Sequence, residues 1–186
     1  SKSIPPIILV GIENTERRRD LTGASQVKED EKIAPLKDGA LKFRAFLNNE
    51  LVTEISKRYK TTNYKGIIGE SVAGLFVTET LLLAPDSFDF FIAMDPSLWW
   101  NNHYLEQNAV RYLGNFPNKN KRLWFAGSGA EDISVYTNKL AKSIESRTPK
   151  KMTWKYSDEP KEKHNTIFRA TKEKALTWIL NVAGNE

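Results

Sequence analysis

Apolar residues fall along this chain in short runs separated by stretches of helical spacing. Ile7-Ile-Leu-Val10 is apolar without alternation, which fits a strand covered on both faces, as in the middle of a parallel sheet. After Gly11, residues 11–39 show little periodicity, many charges and several turn formers, the pattern of a long surface excursion. From Ala40 to Tyr59, the residues Phe43, Leu47, Leu51, Ile55 and Tyr59 recur every fourth place and predict one face of an amphipathic helix. Thr61, Thr62 and Asn63 break it. Lys65 to Ile68 reads as a buried strand, and Val72, Leu75, Phe76, Glu79 and Leu83 continue at helical spacing until Pro85-Asp86. Phe90 to Met94 is the next strand, turned by Asp95-Pro96.

The alternation then repeats. The aromatic loop Ser97-Leu-Trp-Trp-Asn-Asn102 leads into a short helix from Tyr104 to Leu113. A strand over Arg122 to Ala126 ends in Gly127-Ser-Gly129, a helix covers Ile133 to Arg147, Met152 to Tyr156 is a strand, and Arg169 to Val182 is the last helix. Strands separated by helices predict an α/β fold with a mainly parallel sheet and helices on both faces. At 186 residues and 40% hydrophobic content the chain suits one domain, residues 1–186.

Composition narrows the function classes. The chain has no cysteine, so neither disulfides nor thiolate metal sites are available to it. No apolar stretch is long enough for a membrane helix, and the N-terminus shows no basic region followed by an apolar one, so the chain is read as soluble, without a signal peptide. The formal charge of +5 is spread among acidic residues except at Arg17-Arg18-Arg19 and Lys119 to Arg122. That is not the basic face with interleaved aromatics of a nucleic-acid binder, so no nucleic-acid partner is expected. Compartment and oligomeric state are not read from it.

Candidate chemistry centres on Gly69-Glu70-Ser71-Val72-Ala73, which fits G-x-S-x-G with alanine in the last place. On a strand–turn–helix such a serine is a nucleophile elbow; the competing reading is a serine that caps the helix. In a parallel sheet, ligands bind at the strands' C-terminal ends, and the other members fall there. His164, in the loop Ser157 to Asn165 after the last strand, is the better base. His103, on the same edge, is read as a surface residue, beside the competing reading of a substrate contact. Glu131 and Asp132, after the strand Arg122 to Ala126, are alternative orienting acids. The order serine, carboxylate, histidine is that of the α/β-hydrolases. The Val72 N–H, at a helix N-terminus, is an oxyanion donor. Arg17 and Arg18, with Arg19, follow the first apolar run and are candidates for holding an anionic or carbonyl-rich substrate, beside the competing reading of a solvated loop with one arginine paired to Asp20. Trp99 and Trp100 are candidates for lining the same site.

The stretches Pro6 to Thr22, Ile68-Gly-Glu-Ser-Val-Ala-Gly-Leu75 and Asp95-Pro-Ser-Leu-Trp-Trp100, with His164 before the last helix, resemble the putative-esterase family of α/β-hydrolases, which includes esterase D and the siderophore esterases. The resemblance implies an α/β-hydrolase fold and a serine carboxylic-ester hydrolase with Ser71 as nucleophile and His164 as base. It favours Glu131 as the acid, although the family includes siderophore esterases built on a serine and a histidine alone. The partner it implies is a small-molecule ester, and it implies no metal or organic cofactor. It also implies strands ahead of Ile7, one ending in an Asp-Gly or His-Gly turn that helps form the oxyanion hole. No such turn is present, so N-terminal strands are expected to be missing. The rival expectation is a non-catalytic, hydrolase-like ligand-binding domain.

Overall fold

Four of the expected strands form, and they make one parallel sheet in the order β1-β2-β3-β4. The structure, a computed structural model, describes residues 4–181. β1 is Gly66–Glu70, β2 Phe90–Met94, β3 Lys121–Ser128 and β4 Met152–Glu159. The helices are α1 (Arg17–Asp20), α2 (Gly39–Phe46), α3 (Val52–Arg58), α4 (Val72–Leu83), α5 (Trp100–Gly114), α6 (Glu131–Ser146) and α7 (Ile167–Leu180). The fifth expected helix reached Val182, which lies outside the described residues.

Each strand lies beside the next in sequence, so right-handed crossovers all advance in one direction and stack their helices on one face. α4, α5 and α6 accordingly share one core with Phe91, Ala93, Leu123 and Phe125. The other face is covered by α7, whose Ile167, Ala175 and Ile179 pack with Ile92, Met94, Trp124 and Ala126. Alternate residues of β2 and β3 thus feed opposite cores. This is why β2 and the segment Leu123 to Ala126 of β3 are apolar without alternation.

The expected strand over Ile7 to Val10 does not form. These residues carry no regular structure and are 44%, 47%, 77% and 38% exposed. Among the described residues β1 pairs only with β2, so the run has no ladder to supply its backbone partners. The excursion over residues 11–39 is more ordered than its composition predicts, with α1 and a 3₁₀ turn at Lys28–Lys32. The helix expected over Ala40 to Tyr59 forms, but five of its residues, Leu47–Leu51, are wound as a π-helix between α2 and α3. α2 is tied to α4 by a buried pair, Arg44 Nη2 donating to Glu79 Oε1 at 2.7 Å, with Arg44 Nε on Thr80 Oγ1 at 3.1 Å. Burial pushes the Glu79 carboxyl up and Arg44 opposes the shift. Truncating either partner would strand the other's charge, a loss of about 3–5 kcal/mol.

Candidate active site

The turn between β1 and α4 is built for close approach. A Cβ on residue 69 would lie 2.4 Å from the Ala73 carbonyl oxygen, and one on residue 74 would lie 2.9 Å from the Met94 carbonyl oxygen. Only glycine fits either place. Ser71 sits between them at φ 61°, ψ −122°, a conformation that costs a non-glycine residue about 1–3 kcal/mol and collects at functional sites. Its N–H donates to the Met94 carbonyl at 3.0 Å, and its own carbonyl accepts from Leu75 at 2.9 Å. The side chain makes no capping hydrogen bond, so the helix does not use the hydroxyl. The Val72 N–H belongs to the first turn of α4, where N–H groups lack intrahelical acceptors.

β2 ends one residue before Asp95, which is 0% exposed and holds φ 43°. Its Oδ1 accepts the Ser128 N–H at 2.6 Å, and its N–H donates to Ala126 at 2.9 Å. Its Oδ2 lies 2.9 Å from His164 Nδ1. A carboxylate only accepts, so in a neutral imidazole this contact favours the tautomer with its proton on Nδ1 and a lone pair on Nε2. His164 itself is half-buried, its side chain 44% exposed. No hydrogen bond joins it to Ser71 among the described residues; the Ser71 Oγ neighbour is Ser97 Oγ, at 3.5 Å.

Glu131 and Asp132, the two carboxylates favoured by the sequence, are exposed in the first turn of α6. Neither hydrogen-bonds His164 among the described residues; both are placed to favour the positive end of the α6 dipole. The residue that meets His164 is Asp95, which sequence reasoning treated as turn punctuation with Pro96. Its signal was there: an acid immediately after a wholly apolar strand, on the edge where the site lies.

Of the three arginines, Arg17 reaches the elbow, with Nη2 3.4 Å from the Glu70 carbonyl oxygen. Arg19 pairs with Asp20 at 2.8 Å, and Arg18 is exposed. Trp99 is half-buried, whereas Trp100 is 4% exposed and donates its indole N–H to the Gly23 carbonyl at 3.0 Å. Trp100 therefore anchors the excursion rather than facing a ligand. Asp30 works with it, Oδ2 accepting Ser25 Oγ at 2.6 Å and the Asn101 N–H at 2.9 Å. His103 is not the surface residue the sequence suggests. It stacks on Tyr136 with ring centroids 3.7 Å apart, at the end of the left-handed run Asn101, Asn102, His103. The right-handed part of α5 follows at Tyr104, the start that its spacing predicts.

Among the described residues there is no cluster of histidine and carboxylate groups that could hold a metal, and no helix is long and apolar enough to cross a membrane. A concavity of about 260 Å³ lined by Gly114, Phe116 and Arg147 to Lys151 lies at the sheet's opposite edge, where β3 and β4 begin.

A strained serine at a strand–helix elbow beside a parallel sheet is the arrangement of the α/β-hydrolases, and solved structures of that type match. An IroE-like serine hydrolase from Shewanella oneidensis is 26% identical with a TM-score of 0.80, over 95% of this chain and 60% of that one. The BES protein from Bacillus cereus is 25% identical with a TM-score of 0.78, over 94% and 69%. The chain belongs to the family described as "Putative esterase", whose pattern it matches over residues 1–184. Ferri-bacillibactin esterase BesA of Bacillus subtilis (strain 168) is 35% identical over 122 residues, which are 59% of this chain and 42% of that protein. The match thus spans less than half of that relative's length. A siderophore enterobactin esterase of Emericella nidulans is 40% identical over 47 residues, 25% of this chain and 16% of that protein.

Proposed function

We propose that the chain is a serine carboxylic-ester hydrolase that works through an acyl-enzyme on Ser71, with His164 as base and Asp95 as the acid that orients it. The observation that carries the reading is the Ser71 backbone: φ 61° holds the serine in a strained turn while its hydroxyl caps nothing. A merely structural serine would not need that conformation. In the reaction, His164 Nε2 takes the Ser71 proton as Oγ attacks the ester carbonyl, the Val72 N–H stabilises the oxyanion, and the imidazolium returns the proton to the leaving alcohol. Water then repeats the sequence on the acyl-enzyme. Buried Asp95 keeps the imidazole in the tautomer that can accept.

The relatives' names support esters of the siderophore type as substrates. Arg17, beside the elbow, suits substrates with carboxylate or catecholate groups through forked, charge-assisted hydrogen bonds; exposed Arg18 and half-buried Trp99 are further candidates for holding the same substrate. Incubation with a fluorophosphonate, followed by mass mapping, should label Ser71, and Ser71→Ala should abolish both labelling and hydrolysis of a short p-nitrophenyl ester without unfolding the chain. The rival reading of a non-catalytic ligand-binding domain is favoured by the missing Ser71–His164 hydrogen bond. It predicts no label on Ser71, a result that would remove the nucleophile assignment.

A further inference from the structure

The turn Asp95-Pro96-Ser97 carries two polar groups to the elbow, and the reaction as described uses only one. Ser97 is 2% exposed. Its N–H donates to the Ser71 carbonyl at 3.1 Å and its carbonyl accepts from Trp100 at 3.2 Å, so its backbone is stitched to the elbow on one side and to the aromatic loop on the other. Its hydroxyl has one hydrogen-bonding neighbour among the described residues, Ser71 Oγ at 3.5 Å. That separation is at the long limit for O–H···O. A buried hydroxyl left without a partner costs free energy, and among the described residues no other side chain or carbonyl hydrogen-bonds this one.

We infer that Ser97 is a positioning residue for the nucleophile: its hydroxyl holds Ser71 Oγ toward the side of the elbow on which Asp95 presents His164, until the imidazole takes the Ser71 proton. The same rigid turn then sets both partners of the proton transfer, the imidazole through the Asp95 carboxylate and the nucleophile through the Ser97 hydroxyl. Pro96 stiffens the link by fixing its own φ, and the turn packs close to the backbone of Gly74, where a Cβ would meet the Pro96 Cα at 3.1 Å. Phosphonylation rate reads this role directly, since it follows the orientation and reactivity of Ser71 and owes nothing to an alcohol leaving group.

This inference rests on Ser71 as the nucleophile. The experiment compares the parent chain, Ser97→Ala and Ser97→Thr for fluorophosphonate labelling rate, for kcat and KM on a p-nitrophenyl ester, and for melting temperature. The expected result is that Ser97→Ala labels about three- to tenfold more slowly, the worth of one neutral hydrogen bond, with the loss in kcat and KM unchanged. Ser97→Thr, which keeps the hydroxyl, restores the labelling rate to within about twofold. Ser97→Ala labelled at the parent's rate, or a loss that appears in KM alone, overturns the proposal while leaving Ser71 in place. A slowed Ser97→Ala that melts with the parent while folded Ser97→Thr is equally slow also overturns it, because packing and not the hydroxyl is then at work. A parent chain that takes no label overturns the nucleophile reading itself.

Discussion

β2 has a strand on each side and a helix layer over each face, and Phe91 to Met94 are 0% exposed. Residues 7–10 are equally apolar, yet among the described residues they pair with no strand, and their exposures lie between 38% and 77%. Composition does not separate the two segments; backbone partners do. An apolar run measures what burial would yield, roughly 25 cal/mol for each Å² covered. It does not say whether neighbouring strands are there to accept its N–H and C=O groups, and without them burial is opposed by unpaired polar backbone. The two also differ in what they deliver to the site. β2 leads directly into Asp95 and Ser97, both buried and held by several hydrogen bonds. The chain beyond residues 7–10 delivers Arg17, exposed and touching the elbow at 3.4 Å.

The largest expected effect tests the better-held side. Asp95→Asn keeps the oxygen that accepts from Ser128 but can present an amide N–H to His164 Nδ1, which favours the wrong tautomer. The loss should be about a thousand- to ten-thousandfold in kcat, by analogy with serine-protease triads, and Glu131→Gln under the same conditions should cost little. Equal losses, or the reverse order, would return the acid's role to the α6 carboxylates.

Next comes the packing contrast itself. Phe91→Ala removes a ring that is 0% exposed and should cost about 3–5 kcal/mol in urea unfolding, whereas Leu9→Ala, at a position 77% exposed, should stay within about 0.5 kcal/mol. A Leu9→Ala cost approaching that of Phe91→Ala would mean that residues 7–10 are buried in solution and that the contrast is false.

Much of this was legible beforehand, and for identifiable reasons. Gly69 and Ser71 could be found because steric crowding at an elbow leaves few residue choices, and His164 because it follows the last strand at the ligand-binding edge. Asp95 escaped because an Asp-Pro pair is ordinary turn chemistry, and nothing local distinguishes a turn aspartate from one folded under a histidine 69 positions later in the chain. Arg44 was hidden in the same way: its partner Glu79 lies 35 residues on, beyond any helical period. Periodicity reports which face of an element is apolar. It is silent on which polar groups the fold will bring together across it.

The smallest expected effect lies where the two regions meet, at Glu70. It closes β1 beside Arg17, His164 and Asp95. Burial holds its carboxyl above the usual carboxylate range, Asp95 adds to the shift, and His164, Arg17 and the Phe168 N–H work against it. A carboxyl whose value is raised on folding prefers to be protonated in the native state. Its favourable contribution is therefore complete below the unfolded carboxylate range and is lost as pH rises through the raised folded value, so at neutral pH the ionised group costs stability. Glu70→Gln removes the charge but keeps the shape. Its melting temperature should exceed the parent's slightly at neutral pH, and the difference should shrink as pH falls into the carboxylate range. A difference that stays constant, or grows on acidification, would show that Glu70 is stabilised as an anion, with Arg17 a stronger partner than its exposed 3.4 Å contact implies.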